Sequence, residues 1–182
     1  LPWLGTFHSI CAKILRRHAK AVNLNQNFTI IDQDDQLRLI KSICNAENID
    51  IKKISPNFIL SIIDKWKNKG WYPNEVKNIK LDNLEKQFLK IYTIYQQKLI
   101  DLNTCDFGDL LLHCVKLFEN NKDIAEMYSK NFKFILVDEY QDTNVIQSKW
   151  LNLLSSFHKN LCCVGDDDQS IYSWRGAEIK NF

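Results

Sequence analysis

Phe132-Lys133-Phe134-Ile135-Leu136-Val137-Asp138-Glu139-Tyr140-Gln141-Asp142 is the stretch whose reading decides the fold. Four consecutive apolar residues, Phe134, Ile135, Leu136 and Val137, run directly into two carboxylates, Asp138 and Glu139. An unbroken apolar run ended by polar residues predicts a strand buried on both faces of a parallel sheet. Open parallel sheets take their ligands outside the carboxyl ends of the strands, which is where Asp138 and Glu139 fall. Downstream, Ile146, Trp150, Leu153, Leu154 and Phe157 recur at helical spacing over residues 144–157, with Thr143 or Asn144 as the cap. Leu161-Cys162-Cys163-Val164 is a second apolar run, and it ends in Gly165-Asp166-Asp167-Asp168-Gln169. Strand, helix and strand in this order predict a βαβ unit with adjacent parallel strands. A second acidic loop then shares an edge with Asp138 and Glu139.

Adjacent carboxylates at a strand end have a defined chemistry. In nucleotide hydrolases of this layout the aspartate after the strand holds Mg²⁺, and the ion bridges the terminal phosphates. A second carboxylate can orient or deprotonate the attacking water. Two like charges this close need a cation or donors to compensate them. For the Asp-Glu dipeptide alone, a solvated strand-to-turn pair is an equal reading; the neighbouring acidic loop favours a site. Asp138, Glu139 and Asp166 to Asp168 would also suit a two-metal nuclease, which needs carboxylates converging within a few ångströms.

Composition bounds the rest. The chain has 182 residues, 45% hydrophobic and 12% aromatic, enough for a real core. Its net charge of +2 is too small to argue for nucleic acid, so any such contact must come from local patches. The six cysteines form no C-x-x-C pair, so a zinc site is not expected, and all six read as reduced thiols of a cytoplasmic protein. Cys162 and Cys163 fall in a strand expected to be buried. Neither a membrane-spanning apolar run nor a signal peptide is visible.

Earlier in the chain the pattern is helical. Thr6 caps a helix with Phe7, Ile10, Cys11, Ile14 and Leu15 on one face. Arg16, Arg17, His18 and Lys20 near its end read as a solvated terminus. Thr6 and His8 have two readings: a phosphate seat at a helix N-terminus, or plain capping and packing. Phe28-Thr29-Ile30-Ile31 is a short apolar run, and Asp32 to Asp35 cap a helix reaching about Ala46. Ser55-Pro56 opens another, which Gly70 can close. Further stripes are Leu84, Phe88, Ile91, Tyr92, Tyr95 and Leu99, then Phe107, Leu110, Leu111, Cys114 and Phe118 behind an Asp106 cap. These stripes read as core. Lys65, Lys67 and Lys69 beside Trp66 and Trp71 read as a solvated helix end, with a nucleic-acid patch as the alternative.

Two strings carry a resemblance. Asp138-Glu139-Tyr140-Gln141-Asp142-Thr143-Asn144 and Val164-Gly165-Asp166-Asp167-Asp168-Gln169-Ser170-Ile171-Tyr172-Ser173-Trp174-Arg175-Gly176-Ala177 resemble motifs II and III of superfamily 1 DNA helicases of the UvrD/Rep/PcrA type. Gly5-Thr6-Phe7-His8-Ser9 resembles motif Ib, and Asp106-Phe107-Gly108-Asp109-Leu110-Leu111 resembles the segment before motif II. The likeness spans nearly the whole chain. It implies an α/β fold that is mostly helical: residues 1–7 end one RecA-like segment, 8–131 form an all-α inserted subdomain of the 1B kind, and 132–182 form a partial RecA-like domain with parallel strands.

It further implies ATP and Mg²⁺ as cofactors, with Asp138 on the metal and nucleotide, Glu139 as general base and Gln169 sensing the terminal phosphate. Thr6, His8, Tyr172, Trp174 and Arg175 would contact single-stranded DNA. A flat indole such as Trp174 can stack on any base for about 1–3 kcal/mol, although without the resemblance Trp174 reads as core. The implied activity is 3′-to-5′ translocation on DNA and duplex unwinding, with accessory repair or replication proteins as further partners. No G-x-x-x-x-G-K-[ST] phosphate loop occurs in the chain. The expectation is therefore a piece of a helicase, inactive by itself for want of that loop and of a second RecA-like domain. Its open sheet edges would favour marginal stability or self-association. The competing reading is a non-catalytic module that binds DNA or a partner and keeps the motifs.

Overall fold

The computed structural model describes residues 3–166. Gln169, Tyr172, Trp174 and Arg175 lie outside the described residues, as do Asp167 and Asp168. The order of the main elements is α1 (Phe7–Arg17), β1 (Thr29–Ile30), α2 (Gln33–Ala46), α3 (Pro56–Asn68), α4 (Pro73–Val76), α5 (Asn83–Asp101), β2 (Thr104–Cys105), α6 (Phe107–Asn120), α7 (Lys122–Asn131), β3 (Ile135–Val137), α8 (Val145–Leu154) and β4 (Leu161–Cys163). The fold is α/β and mostly helical.

The caps are those the sequence calls for. Thr6 Oγ1 accepts from the Ser9 N–H at 3.3 Å, Asp32 Oδ1 from Asp35 N–H at 2.9 Å and Ser55 Oγ from Phe58 N–H at 3.2 Å. Each satisfies a backbone donor that the first helical turn leaves open. Gly70 follows α3 at φ +80°, a conformation glycine adopts without strain. Asn144 starts α8, its Oδ1 accepting from Gln147 N–H while the Gln147 side chain returns the bond. The helix ends at Leu154, earlier than the apolar spacing suggests, and Phe157 is exposed.

Two apolar cores form. One joins α1, α6, α7 and α8 with Val137 of β3. The other joins α2, α3 and α5 through Ile40, Ile43, Ile59, Ile63, Phe88, Tyr92 and Leu99. The short apolar run at residue 28 becomes β1, which pairs in parallel with β2. Arg16 is more than a solvated helix end: its Nη1 donates to the carbonyls of Gln26 and Phe28 at 2.9 and 3.1 Å, and its guanidinium lies 4.5 Å from the Phe28 ring centre.

Three expectations are corrected. The strand buried on both faces is buried on one. Ile135 and Val137 face the first core, while Phe134 and Leu136 are 82% and 74% exposed. The same alternation leaves Cys162 exposed and Cys163 half-buried, so these thiols are not core residues. A strand buries its second face only where another layer covers it, and among the described residues nothing does. Phe107 and Leu84, assigned to core stripes, are also exposed, because each sits in the first turn of its helix at the edge of the packing.

Lys67 is the third correction. It is 0% exposed, not part of a solvated patch. Residues four apart share a helix face and residues two apart do not, so Lys65 and Lys69 point to solvent while Lys67 joins the Leu60–Ile63 stripe. Its Nζ lies 2.6 Å from Asp106 Oδ2 and 2.7 Å from Asp109 Oδ1, both carboxylates fully buried. Tyr95 Oη and Gln36 Nε2 donate to Asp106 Oδ2 at 2.8 and 3.1 Å, and Gln96 Nε2 donates to Asp109 Oδ1 at 2.9 Å. Burial alone would neutralise this lysine, but the two carboxylates hold its pKa above the usual value. The second core thus reaches the first turn of α6 through a buried, hydrogen-bonded ionic cluster.

Candidate functional site

β3 and β4 pair in parallel, with Ile135 opposite Leu161, Leu136 opposite Cys162 and Val137 opposite Cys163. Both strands therefore end on the same rim. The pairing continues one step past them: Val164 N–H donates to Val137 O at 2.8 Å, and Tyr140 N–H donates to Val164 O at 3.0 Å. Asp138 and Glu139 leave one strand here, and Gly165 and Asp166 leave the other.

Asp138 is exposed, and its Oδ1 accepts from the Glu139 N–H at 2.9 Å. Glu139 is exposed and left-handed, at φ 52° and ψ 41°. A non-glycine residue in that region stores roughly 1–3 kcal/mol of strain, a cost met most often at functional sites. The next three residues, Tyr140–Asp142, form a 3₁₀ turn. That turn buries Gln141 to 1% exposure and aims its amide back at the rim. Gln141 Nε2 donates to Glu139 Oε2, and Gln141 Oε1 accepts from the Asp166 N–H at 3.1 Å. One side chain thus ties the two loops together. The sequence assigns Gln141 no role. Nothing in a single glutamine signals a bridge whose far end is 25 residues away.

The rim suits a hard cation held by few protein ligands. Mg²⁺ takes one or two carboxylates, with phosphates and waters completing its shell. Asp138 offers an exposed carboxylate of that kind, and Glu139 stands beside it with one oxygen held by Gln141. Among the described residues no group of three or more His, Cys, Asp or Glu is placed to hold a metal ion. Open cavities of about 440 and 410 Å³ lie elsewhere, around Glu119–Ile124 and around Tyr72, Gln96 and His113.

Thr6 and His8 stand together at the N-terminus of α1. The Thr6 hydroxyl is engaged as a cap. His8 is half-buried, meets Phe107 edge-on with centroids 5.7 Å apart, and is pushed towards its neutral form by burial. Capping and packing therefore describe both residues as they stand, and a neutral imidazole can still donate a hydrogen bond. The exposed Phe107 ring widens this surface. Two contacts link α1 and α3 to α8, the helix between β3 and β4. Phe7 packs edge-on against Trp150 of α8 at 5.9 Å, and Asn68 at the end of α3 accepts from the Asn144 side chain at 3.2 Å.

Comparison with known proteins bears on this geometry. The family model described as "UvrD/REP helicase N-terminal domain" matches residues 1–182. A "Probable DNA helicase II homolog" of Rickettsia conorii is 48% identical over 184 residues, which is 98% of this chain and 28% of that protein. The "DNA helicase II" of Rickettsia typhi is 48% identical over 185 residues. An "ATP-dependent DNA helicase PcrA" of Staphylococcus aureus is 44% identical over 179 residues, 98% of this chain and 24% of that protein. The chain spans about a quarter of the length of these relatives.

Proposed function

The chain belongs to the UvrD/REP helicase N-terminal domain family, and on that premise we propose that it forms part of an ATP-dependent, Mg²⁺-using motor that moves 3′ to 5′ on single-stranded DNA and opens duplexes. The observation that carries the reading is the parallel register of β3 and β4, which puts Asp138, Glu139 and Asp166 on one rim. In this reading Asp138 would hold the magnesium ion of bound ATP. When bound, that ion supplies charge neutralisation on the terminal phosphates. Glu139 takes the proton of the attacking water on Oε1, the oxygen that Gln141 leaves open. Gln169 would sense the terminal phosphate, and Thr6, His8, Tyr172, Trp174 and Arg175 would line the DNA path.

The order of parts follows the same reading, with a boundary region at each end of the helical insertion. The shared core of α1, α6, α7, β3 and α8 favours an insertion narrower than residues 8–131, centred on α2 to α5. The sequence holds no phosphate loop, so the purified chain should turn over no ATP by itself. No helix of the described residues is long and apolar enough to cross a membrane. A cytoplasmic setting, with accessory repair or replication proteins, belongs to the proposal.

The test is Glu139→Gln in the full-length protein that contains this chain. Turnover of ATP should fall at least about a hundredfold, the scale of general-base loss, with nucleotide affinity nearly unchanged. A normal rate would remove the general-base role from Glu139, whereas absence of ATP turnover in the unsubstituted full-length protein, with and without single-stranded DNA, would make a non-catalytic DNA-binding module the better reading. Trp174→Ala should weaken single-strand binding uniformly across sequences, by about 1–3 kcal/mol; equal affinity before and after would return Trp174 to the core.

A further inference from the structure

We propose that Gln141 is a positioning residue that couples the Glu139 loop to the loop after β4, through an amide bonded at one end to the Glu139 carboxylate and at the other to the Asp166 backbone. The inference rests on Glu139 being the water-activating group. A glutamine amide carries its donor and its acceptor in one rigid plane. Here the donor meets Glu139 Oε2 and the acceptor meets the Asp166 N–H at 3.1 Å. A shift of the second loop therefore pulls on the carboxylate, and a shift of the carboxylate pulls on the loop.

Three further observations favour a device over filler. Gln141 is 1% exposed, so water does not compete for either bond. Glu139 is held in a left-handed backbone conformation, which sets where its Cβ points and leaves the carboxylate to be oriented by its side-chain partner. The backbone beneath is already pinned through Val137, Val164 and Tyr140, so the two loops do not need this bridge to stay paired. The side-chain link adds orientation to a pairing the strands secure by themselves.

The experiment uses the full-length protein with two substitutions. Gln141→Met keeps the volume and removes both bonds. Gln141→Glu keeps an acceptor towards Asp166 and removes the donor to Glu139. For Gln141→Met we expect kcat to fall about tenfold or more, KM for ATP to change less than about twofold, and the stimulation of ATP turnover by single-stranded DNA to shrink. Hydrogen exchange of the Asp166 amide should speed up, with the melting temperature held. For Gln141→Glu the Asp166 amide should stay protected while kcat still falls. Unchanged exchange at Asp166 in Gln141→Met would overturn the bridge. A parallel fall of kcat, affinity and melting temperature would overturn the coupling and leave a packing role. If Glu139→Gln retains turnover, the general-base reading fails instead, and the exchange measurement still reports on the bridge.

Discussion

Replacing Lys67 by methionine tests the ionic cluster between the two cores. The substitution keeps the length of the stem and removes one charge, leaving Asp106 and Asp109 buried without their cation. Breaking a buried ion pair from one side costs about 3–5 kcal/mol. An independent bound comes from protonation. A stranded carboxylate escapes by taking a proton, and moving one from a pKa near 4 to neutrality at pH 7 costs about 3 units, or roughly 4 kcal/mol. The same escape costs only about 1.5 kcal/mol at pH 5. The sign follows from linkage: in the variant the folded carboxylate pKa is raised, so the loss is largest at pH 7 and shrinks as pH falls. Urea melts of wild type and Lys67→Met at both pH values read the difference directly. Adding Asp106→Asn and Asp109→Asn should recover most of the loss, since neutral partners can share the remaining donors Tyr95, Gln36 and Gln96. A penalty below about 0.5 kcal/mol at pH 7, the range of ordinary surface substitutions, would refute the buried cluster and return Lys67 to a solvated face.

Two more expectations concern the same region. Burial, with Asp106 next in weight, pushes the Asp64 carboxyl up to about 6. Its folded pKa is raised, so its ionisation weakens the fold as pH climbs from about 4 through 6. Asp64→Asn should raise stability at pH 7 by about 1–2 kcal/mol after allowance for partial exposure, and change nothing at pH 3.5; an equal effect at both pH values would point to packing. Gly108 lies under the Lys67 stem, where an added Cβ would come within 3.0 Å of Lys67 Cδ and 3.4 Å of Asp106 Oδ1. Gly108→Ala should cost about 1–2 kcal/mol in thermal melts, because the stem is tethered at its charged end and cannot swing aside. A stabilised variant would mean that the lysine has room to move.

Much of the local structure was legible in the residues. Thr6, Asp32, Ser55, Asp106 and Asn144 announced helix starts because capping depends on atoms within three residues of each other. The βαβ unit was legible too, since its strands are joined by one short helix and handedness permits little else. The exposed face of β3 was not. Phe134 and Leu136 have the same apolar character as Ile135 and Val137, and only the presence of a covering layer separates them.

By itself the sequence determined where the side-chain-capped helices begin, that the runs before Asp138 and Gly165 become strands, and that Asp138, Glu139 and Asp166 would leave neighbouring strands on one side; the β1–β2 pair within the expected all-α stretch 8–131 came only with the fold. Tertiary structure alone decided the fate of charges and amides. Lys67 went inside because Asp106, 39 residues along the chain, was there to meet it. Gln141 became a bridge because β4 brought the Asp166 N–H within reach. Capping and periodicity are short-range forces written in adjacent letters. Compensation of a buried charge depends on partners that only the folded chain brings together.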